Sequence, residues 1–158
     1  MRCMTKIMVA ITMICLFSGT VVAIDIITLD QVSVLMSKAK VLSILGAPDY
    51  VGEAGGGLKV DIYRVSNAEP MIAAGCIYED NRSLAGQAFI FQGEMGREAA
   101  ERLKKHGFVV MEEKEGAFRL FGKDDDTGQP LVAHITLSSG MTVVMTFEKG
   151  FYDKFIKQ

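Results

Sequence analysis

The 158-residue chain has no tryptophan, three cysteines and two histidines, and its charge carries no positive excess. Each shortage removes a class of protein. Two of the cysteines, Cys3 and Cys15, fall in the first 23 residues, which leaves Cys76 alone in the rest of the chain. A single cysteine makes no internal bridge, so a disulfide scaffold is excluded. Beyond residue 23 there are 15 basic and 19 acidic residues, and a chain without a basic excess does not neutralise nucleic-acid phosphates. The histidines, His106 and His134, are far in sequence from each other and from Cys76, so the short ligand spacings of a zinc site are missing. What remains is an ordinary globular composition, neither disordered nor polytopic in a membrane, and long enough for one core that needs no staples.

The first 23 residues read as an address. Arg2 and Lys6 form a positive start, Ile7 to Phe17 is an apolar run, and Ser18-Gly19-Thr20 and Val21-Val22-Ala23 supply the small residues of a cleavage site. This is the pattern of a secretory signal peptide over residues 1–23, cleaved after Ala23, with the mature protein periplasmic or secreted and without a stable membrane span. The alternative is an uncleaved N-terminal anchor stretching from Ile7 to Ile27, which Thr12, Ser18, Gly19, Thr20 and Asp25 weaken. Cys15 lies inside the apolar run rather than at its end, so lipidation is not expected. The sequon Asn81-Arg82-Ser83 matters only in a eukaryotic route, and the short signal and lack of disulfides point to a bacterial one.

Residues 24–158 read as a single α+β domain. Thr28 to Gly46 predicts two short helices, the first with Thr28 and Gln31 as a capping box, the second capped by Ser37 and ended by Gly46 and Pro48. Gly52 to Gly57, with four glycines, predicts a flexible loop. The period then changes to alternation, with Leu58, Val60 and Ile62 on one side and Lys59, Asp61 and Tyr63 on the other. Met71–Glu79 and Leu84–Gln92 predict strands joined by a turn at Asp80 to Ser83. Gly93 to Gly107 predicts the clearest helix, with Glu94, Glu98 and Glu101 early and Lys104, Lys105 and His106 late, as the helix dipole favours. Strands are expected at Phe108–Glu115, Ala117–Lys123, Leu131–Leu137 and Met141–Glu148, followed by an apolar turn or short helix carrying Phe151, Tyr152, Phe155 and Ile156. Clean alternation in the last two strands predicts a largely antiparallel sheet with one packed and one wet face. Helices and strands recur in order, which admits two tandem helix-plus-sheet units, 24–92 and 93–158, although no residue identities link them.

Catalytic chemistry is sparse. Gly52 to Lys59 has the glycines of a phosphate loop, but Leu58 stands where lysine is required and a strand follows. Asp124-Asp125-Asp126-Thr127-Gly128 suggests calcium, yet the position that would need a closing glutamate is Ile135, so an acidic turn is expected. Cys76 with a histidine could serve as nucleophile and base, but its apolar strand suits a small core residue. No catalytic, cofactor or metal residue is therefore assigned, and no cofactor is expected.

Met36 to Pro48, with Val41, Leu45, Gly46 and Pro48, resembles the helix-to-loop signature of the SmpA/OmlA (BamE-like) envelope proteins. Asp61 to Val65 resembles that family's first aromatic strand and Tyr78 to Phe91 its following hairpin, so the likeness covers Thr28 to Phe91. The family's lipoprotein cysteine is absent here, and the C-terminal half is additional. Tandem helix-and-sheet units are also the architecture of β-lactamase-inhibitor-protein-like domains, a likeness of architecture alone. The resemblance implies an exported, soluble binding or scaffold module of the bacterial envelope, with a protein partner and no catalysis, acting through a sheet face or the Gly-rich loop. The competing expectations are an inhibitor or immunity-type protein using Gly52 to Gly57, and an enzyme using Cys76, His134 or the Asp124 to Asp126 run.

Overall fold

The computed structural model describes residues 23–54 and 58–157. The expected signal peptide therefore lies outside the described residues, apart from Ala23. Eight strands form one antiparallel sheet: β1 (Tyr50–Ala54), β2 (Leu58–Arg64), β3 (Met71–Glu79), β4 (Ser83–Gln92), β5 (Val109–Lys114), β6 (Ala117–Lys123), β7 (Pro130–Ser138) and β8 (Met141–Glu148). Helices α1 (Ile26–Leu29) and α2 (Lys38–Leu45) precede β1, and α3 (Gly96–Lys105) links β4 to β5. A final turn, α4 (Lys149–Phe151), continues as a wider π-helical turn over Tyr152–Ile156. No helix among the described residues is long and apolar enough to cross a membrane.

The strand order is β1-β2-β3-β4-β8-β7-β6-β5. Each half thus starts at an outer edge and meanders inward, and the two last strands, β4 and β8, meet in the middle through pairs such as Phe89 with Val144. The antiparallel α+β class expected from sequence is present, but the single wet face is not. On one face α1 and α2 cover Tyr63, Ala74, Cys76 and Leu84, while α3 covers Leu120, Ala133, Ile135 and Val144. On the other, Phe151 and Tyr152 pack with Val60, Ile77, Val132 and Phe147. Asp61 and Tyr63, which alternation assigns to the solvent side of β2, are 2% and 1% exposed. Alternation reports which residues share a face; it does not report whether a helix will lie on that face.

Local chemistry moves several boundaries. The first helix is capped by Asp25, whose Oδ1 accepts from the Thr28 N–H at 2.7 Å, so Thr28 lies inside the helix and the Thr28–Gln31 capping box does not form. Ser37 does cap α2, its Oγ accepting from Lys40 N at 3.2 Å, and Gly46 closes it at φ +80°. Helix α3 begins at Gly96, not Gly93, which leaves Glu94 outside the first turn. Buried Thr142 of β8 holds this entry: its Oγ1 accepts from Met95 N at 2.7 Å and donates to Gly93 O at 2.8 Å. At the far end the Phe108 N–H donates to Leu103 O at 3.1 Å with Gly107 left-handed, as expected of that terminator. Gly52 to Ala54, placed in a loop from composition, are paired in β1 against Val60, Lys59 and Leu58. Glycines 55–57 lie outside the described residues.

Candidate functional site

The chemistry-bearing residues separate into two groups on opposite faces of the sheet. Cys76 belongs to the face under α2. It sits directly across from Asp61, with Tyr63 and Tyr78 among its electrostatic neighbours. The thiol is fully buried, and burial pushes it up to about 12, so it is not a thiolate at neutral pH. Burial likewise raises both tyrosine hydroxyls above their ordinary range. The charge in this group is Asp61, a carboxylate on an inner strand. Lys38, in the first turn of α2, reaches over the Tyr78 ring at 4.6 Å from its centroid, lies 3.1 Å from Asp61 Oδ2 and donates to Asn81 Oδ1 at 2.7 Å. The Asp61 contact is an ion pair without the angle of a hydrogen bond, and the Tyr78 hydroxyl makes no hydrogen bond among the described residues. A lysine in a first helical turn is slightly disfavoured by the dipole; here its counter-charge is the buried carboxylate.

His134 belongs to the other face. Its Nε2 lies 3.1 Å from Tyr152 Oη, and its ring meets Phe147 edge-on and Tyr152 at a tilt. The neighbouring position across the ladder is Arg119, which is paired to Glu112 Oε2 at 3.0 Å. Burial, reinforced by the Arg119 charge, lowers His134 to about 4, so the imidazole is neutral at physiological pH. Cys76 on β3 and His134 on β7 are three strand spacings apart, about 14 Å, and face opposite ways. The structure does not bring them together.

His106 and the acidic turn form neither a ligand set nor an acid–base pair. His106 caps the end of α3 and its Nδ1 is 3.6 Å from Asp125 Oδ2, both side chains being exposed. Asp124 Oδ1 accepts from Asp126 N, Thr127 N and Thr127 Oγ1, which closes the turn on itself. Asp126 accepts from Ser33 Oγ at 2.8 Å and so ties the turn to the segment between α1 and α2. Among the described residues no group of three or more His, Cys, Asp or Glu could hold a metal ion.

A shallow cleft of about 330 Å³ lies where the β3–β4 turn meets the C-terminal segment, with Leu58, Lys59, Tyr78, Asn81, Phe151 and Phe155 among its walls. Glu79, also on its wall, pairs with Lys154 at 3.0 Å. The larger solvent-facing apolar side chains of the sheet lie elsewhere, on its two outer strands: Tyr50 and Val51 on β1 are 51% and 53% exposed, Val109 and Met111 on β5 are 62% and 64% exposed.

No family model, curated protein or solved structure matches the chain. The arrangement must therefore be read on its own. Sequence reasoning missed the Lys38–Asp61 pair and the Tyr152–His134 contact. The signal for the first was present, since an aspartate in an alternating strand three positions before Arg64 reads as solvent-facing only if nothing covers it. The second had no local signal, because it joins residues 18 apart through the curl of the chain after β8.

The two edges differ in a way that bears on partners. Strand β5 carries a register irregularity between Val110 and Glu112 and then Glu112, Glu113 and Lys114. Bulges and charges are devices that blunt an edge against further pairing. Strand β1 pairs with β2 in continuous register over all five residues and contains one charge, Glu53.

Proposed function

We propose that this chain is an exported, soluble binding or scaffold module of the bacterial envelope that works through protein–protein contacts and engages an extended partner segment at the outer edge of β1. The observation that carries the reading is the asymmetry of the edges: β1 is regular, nearly uncharged and presents Tyr50 and Val51, whereas β5 is bulged and charged. An added strand gains main-chain hydrogen bonds along such an edge, and side-chain pockets supply specificity. The leader-like N-terminus and the SmpA/OmlA-like stretch from Thr28 to Phe91 support the envelope setting. The buried, unionised Cys76 and the neutral His134, held on opposite faces, support a role without catalysis. The recurrence of helices, edge strand and inward meander in each half supports two tandem units, 24–92 and 93–158, within one sheet.

Pull-down from an envelope extract with mass spectrometry, run with three forms of the protein, tests this. Wild type and Met111→Lys should retain the same partner, and Val51→Lys should lose it while keeping the wild-type circular dichroism spectrum. Equal retention by Val51→Lys and wild type, or turnover of a small substrate with no partner recovered, would overturn the reading. The inhibitor reading loses part of its proposed protrusion, because Gly52 to Ala54 are strand.

A further inference from the structure

Beyond the start of β1, the outer side of β2 is continued by a single residue from the beginning of the domain. Ile24 runs parallel to Val65, its N–H donating to Arg64 O at 3.0 Å and its carbonyl accepting from Ser66 N at 2.9 Å. Strand β3 holds the opposite side of this stretch, where Val65 N donates to Ile72 O. A parallel strand continued upstream of Ile24 would next bond Ile62 O and Arg64 N. Asp49 takes both: its backbone N–H donates to Ile62 O at 2.9 Å, and its Oδ2 accepts from Arg64 N at 2.7 Å. The ladder therefore has no place for the chain before Ile24.

This boundary coincides with the bond that Val21-Val22-Ala23 marks for cleavage, the one between Ala23 and Ile24. Hydrolysis there by a signal peptidase puts the oxygen of water on the Ala23 carbonyl. The proton shed by the new carboxyl goes to the new α-amine, which is cationic at neutral pH. That amine is Ile24 N, the atom seated on Arg64 O. The backbone N and O of one extended residue project to the same side. Ile24 N and the Asp49 carboxylate thus occupy adjoining positions against Arg64. The Asp49 side chain is 12% exposed, and the Arg64 guanidinium meets its Oδ1 at 3.4 Å, beyond the usual hydrogen-bond range. Asp25, the acid next to Ile24 in the chain, is committed to the cap of α1. We propose that cleavage between Ala23 and Ile24 turns a neutral backbone donor into an α-ammonium that pairs with Asp49 and fastens the new N-terminus into the sheet. The proposal rests on the reading of residues 1–23 as a cleaved leader. It makes leader removal a step that strengthens the edge of the domain rather than one that leaves a loose end. The Arg64 guanidinium is the like charge at this place; at 45% exposed it is screened by water.

The full chain, expressed in an exporting bacterial host and recovered after export, supplies the protein for the test. Its intact mass should match residues 24–158. The α-amine is then acetylated at mildly acidic pH, where the lysines stay protonated. Acetylated Ile24 keeps an N–H for Arg64 O and loses only its charge. Hydrogen exchange at the Ser66 amide, which is bonded to Ile24 O, reads the seating. Acetylation should speed that exchange about fivefold in wild type, the upper end for a surface ion pair because Asp49 is mostly covered. It should leave the rate unchanged in Asp49→Asn, which retains an acceptor for Arg64 N. A mass that includes the leader, or one that places the cut at another bond, would overturn the leader reading and the pairing together. The expected mass with no response to acetylation, or with equal responses in wild type and Asp49→Asn, would overturn the pairing and leave the leader reading standing.

Discussion

The two halves of the sheet have the same wiring and secure their helices by different means. In the first half α2 is fastened by charge, with Lys38 reaching a carboxylate buried on β2. In the second, α3 is fastened by a hydroxyl, with Thr142 bridging the backbone that leads into the helix. The first solution commits an ion to the interior and is costly to interrupt, because removing one partner strands the other. The second places only neutral groups inside. Equal topology therefore does not imply equal tolerance to change.

Lys38→Met tests the charged side of that contrast most directly. It should cost about 3 kcal/mol in urea denaturation, the low end for breaking a buried pair because the lysine is a quarter exposed. A second change, Asp61→Asn, made on the Lys38→Met background should recover part of the loss by removing the unpaired charge. A loss under 1 kcal/mol for Lys38→Met would remove the distinction between the halves.

Packing supplies the next contrast. A Cβ on Gly122 would lie 2.5 Å from the Phe108 ring, while one on Gly75 would meet Val60 Cγ1 at 2.9 Å, the end of a short side chain. Gly122→Ala should cost about 2 kcal/mol and Gly75→Ala about 1 kcal/mol by the same denaturation measurement, since over-filling is worst where a whole ring must move. The reverse order would show that β6 and the Phe108 ring yield more readily than β2 and β3.

The last contrast concerns helix entry. Thr142→Val leaves Met95 N and Gly93 O without their partner and should cost about 1.5 kcal/mol. Ser37→Ala removes only the cap of α2 and should cost about 1 kcal/mol, read as a difference in denaturation midpoint. Equal values would show that the buried hydroxyl has no advantage over an exposed cap.

Much of this was legible from residue order. Periodicity located all three strands of each meander nearest the centre, because Leu131 to Leu137 and Met141 to Phe147 alternate without interruption, and Ser37, Gly46 and Gly107 marked helix ends through local backbone chemistry. Strand β1 was hidden because Gly52 favours loops by composition, and its pairing with Val60 is settled by the neighbouring strand rather than by its own residues. The start of α3 was displaced because Thr142, the group that fixes it, is 47 residues away. Candidate chemistry was legible as residue types but not as placement: Cys76 could be read as core, whereas the covering of His134 by Tyr152 depends on where the chain turns after Glu148.

The meeting of β4 with β8 has a kinetic consequence. Every other strand pairing in the sheet joins neighbours in the chain, so each meander can form from short loops. The central seam pairs Gly86 with Phe147 and Gln92 with Met141, and it cannot close until α3 and the second meander have been traversed. The slow event in folding is thus the zipping of two preformed four-stranded pieces. Until it happens, each piece carries a bare inner edge, β4 or β8, and the time spent in that state sets the chain's exposure to mispairing with its own copies.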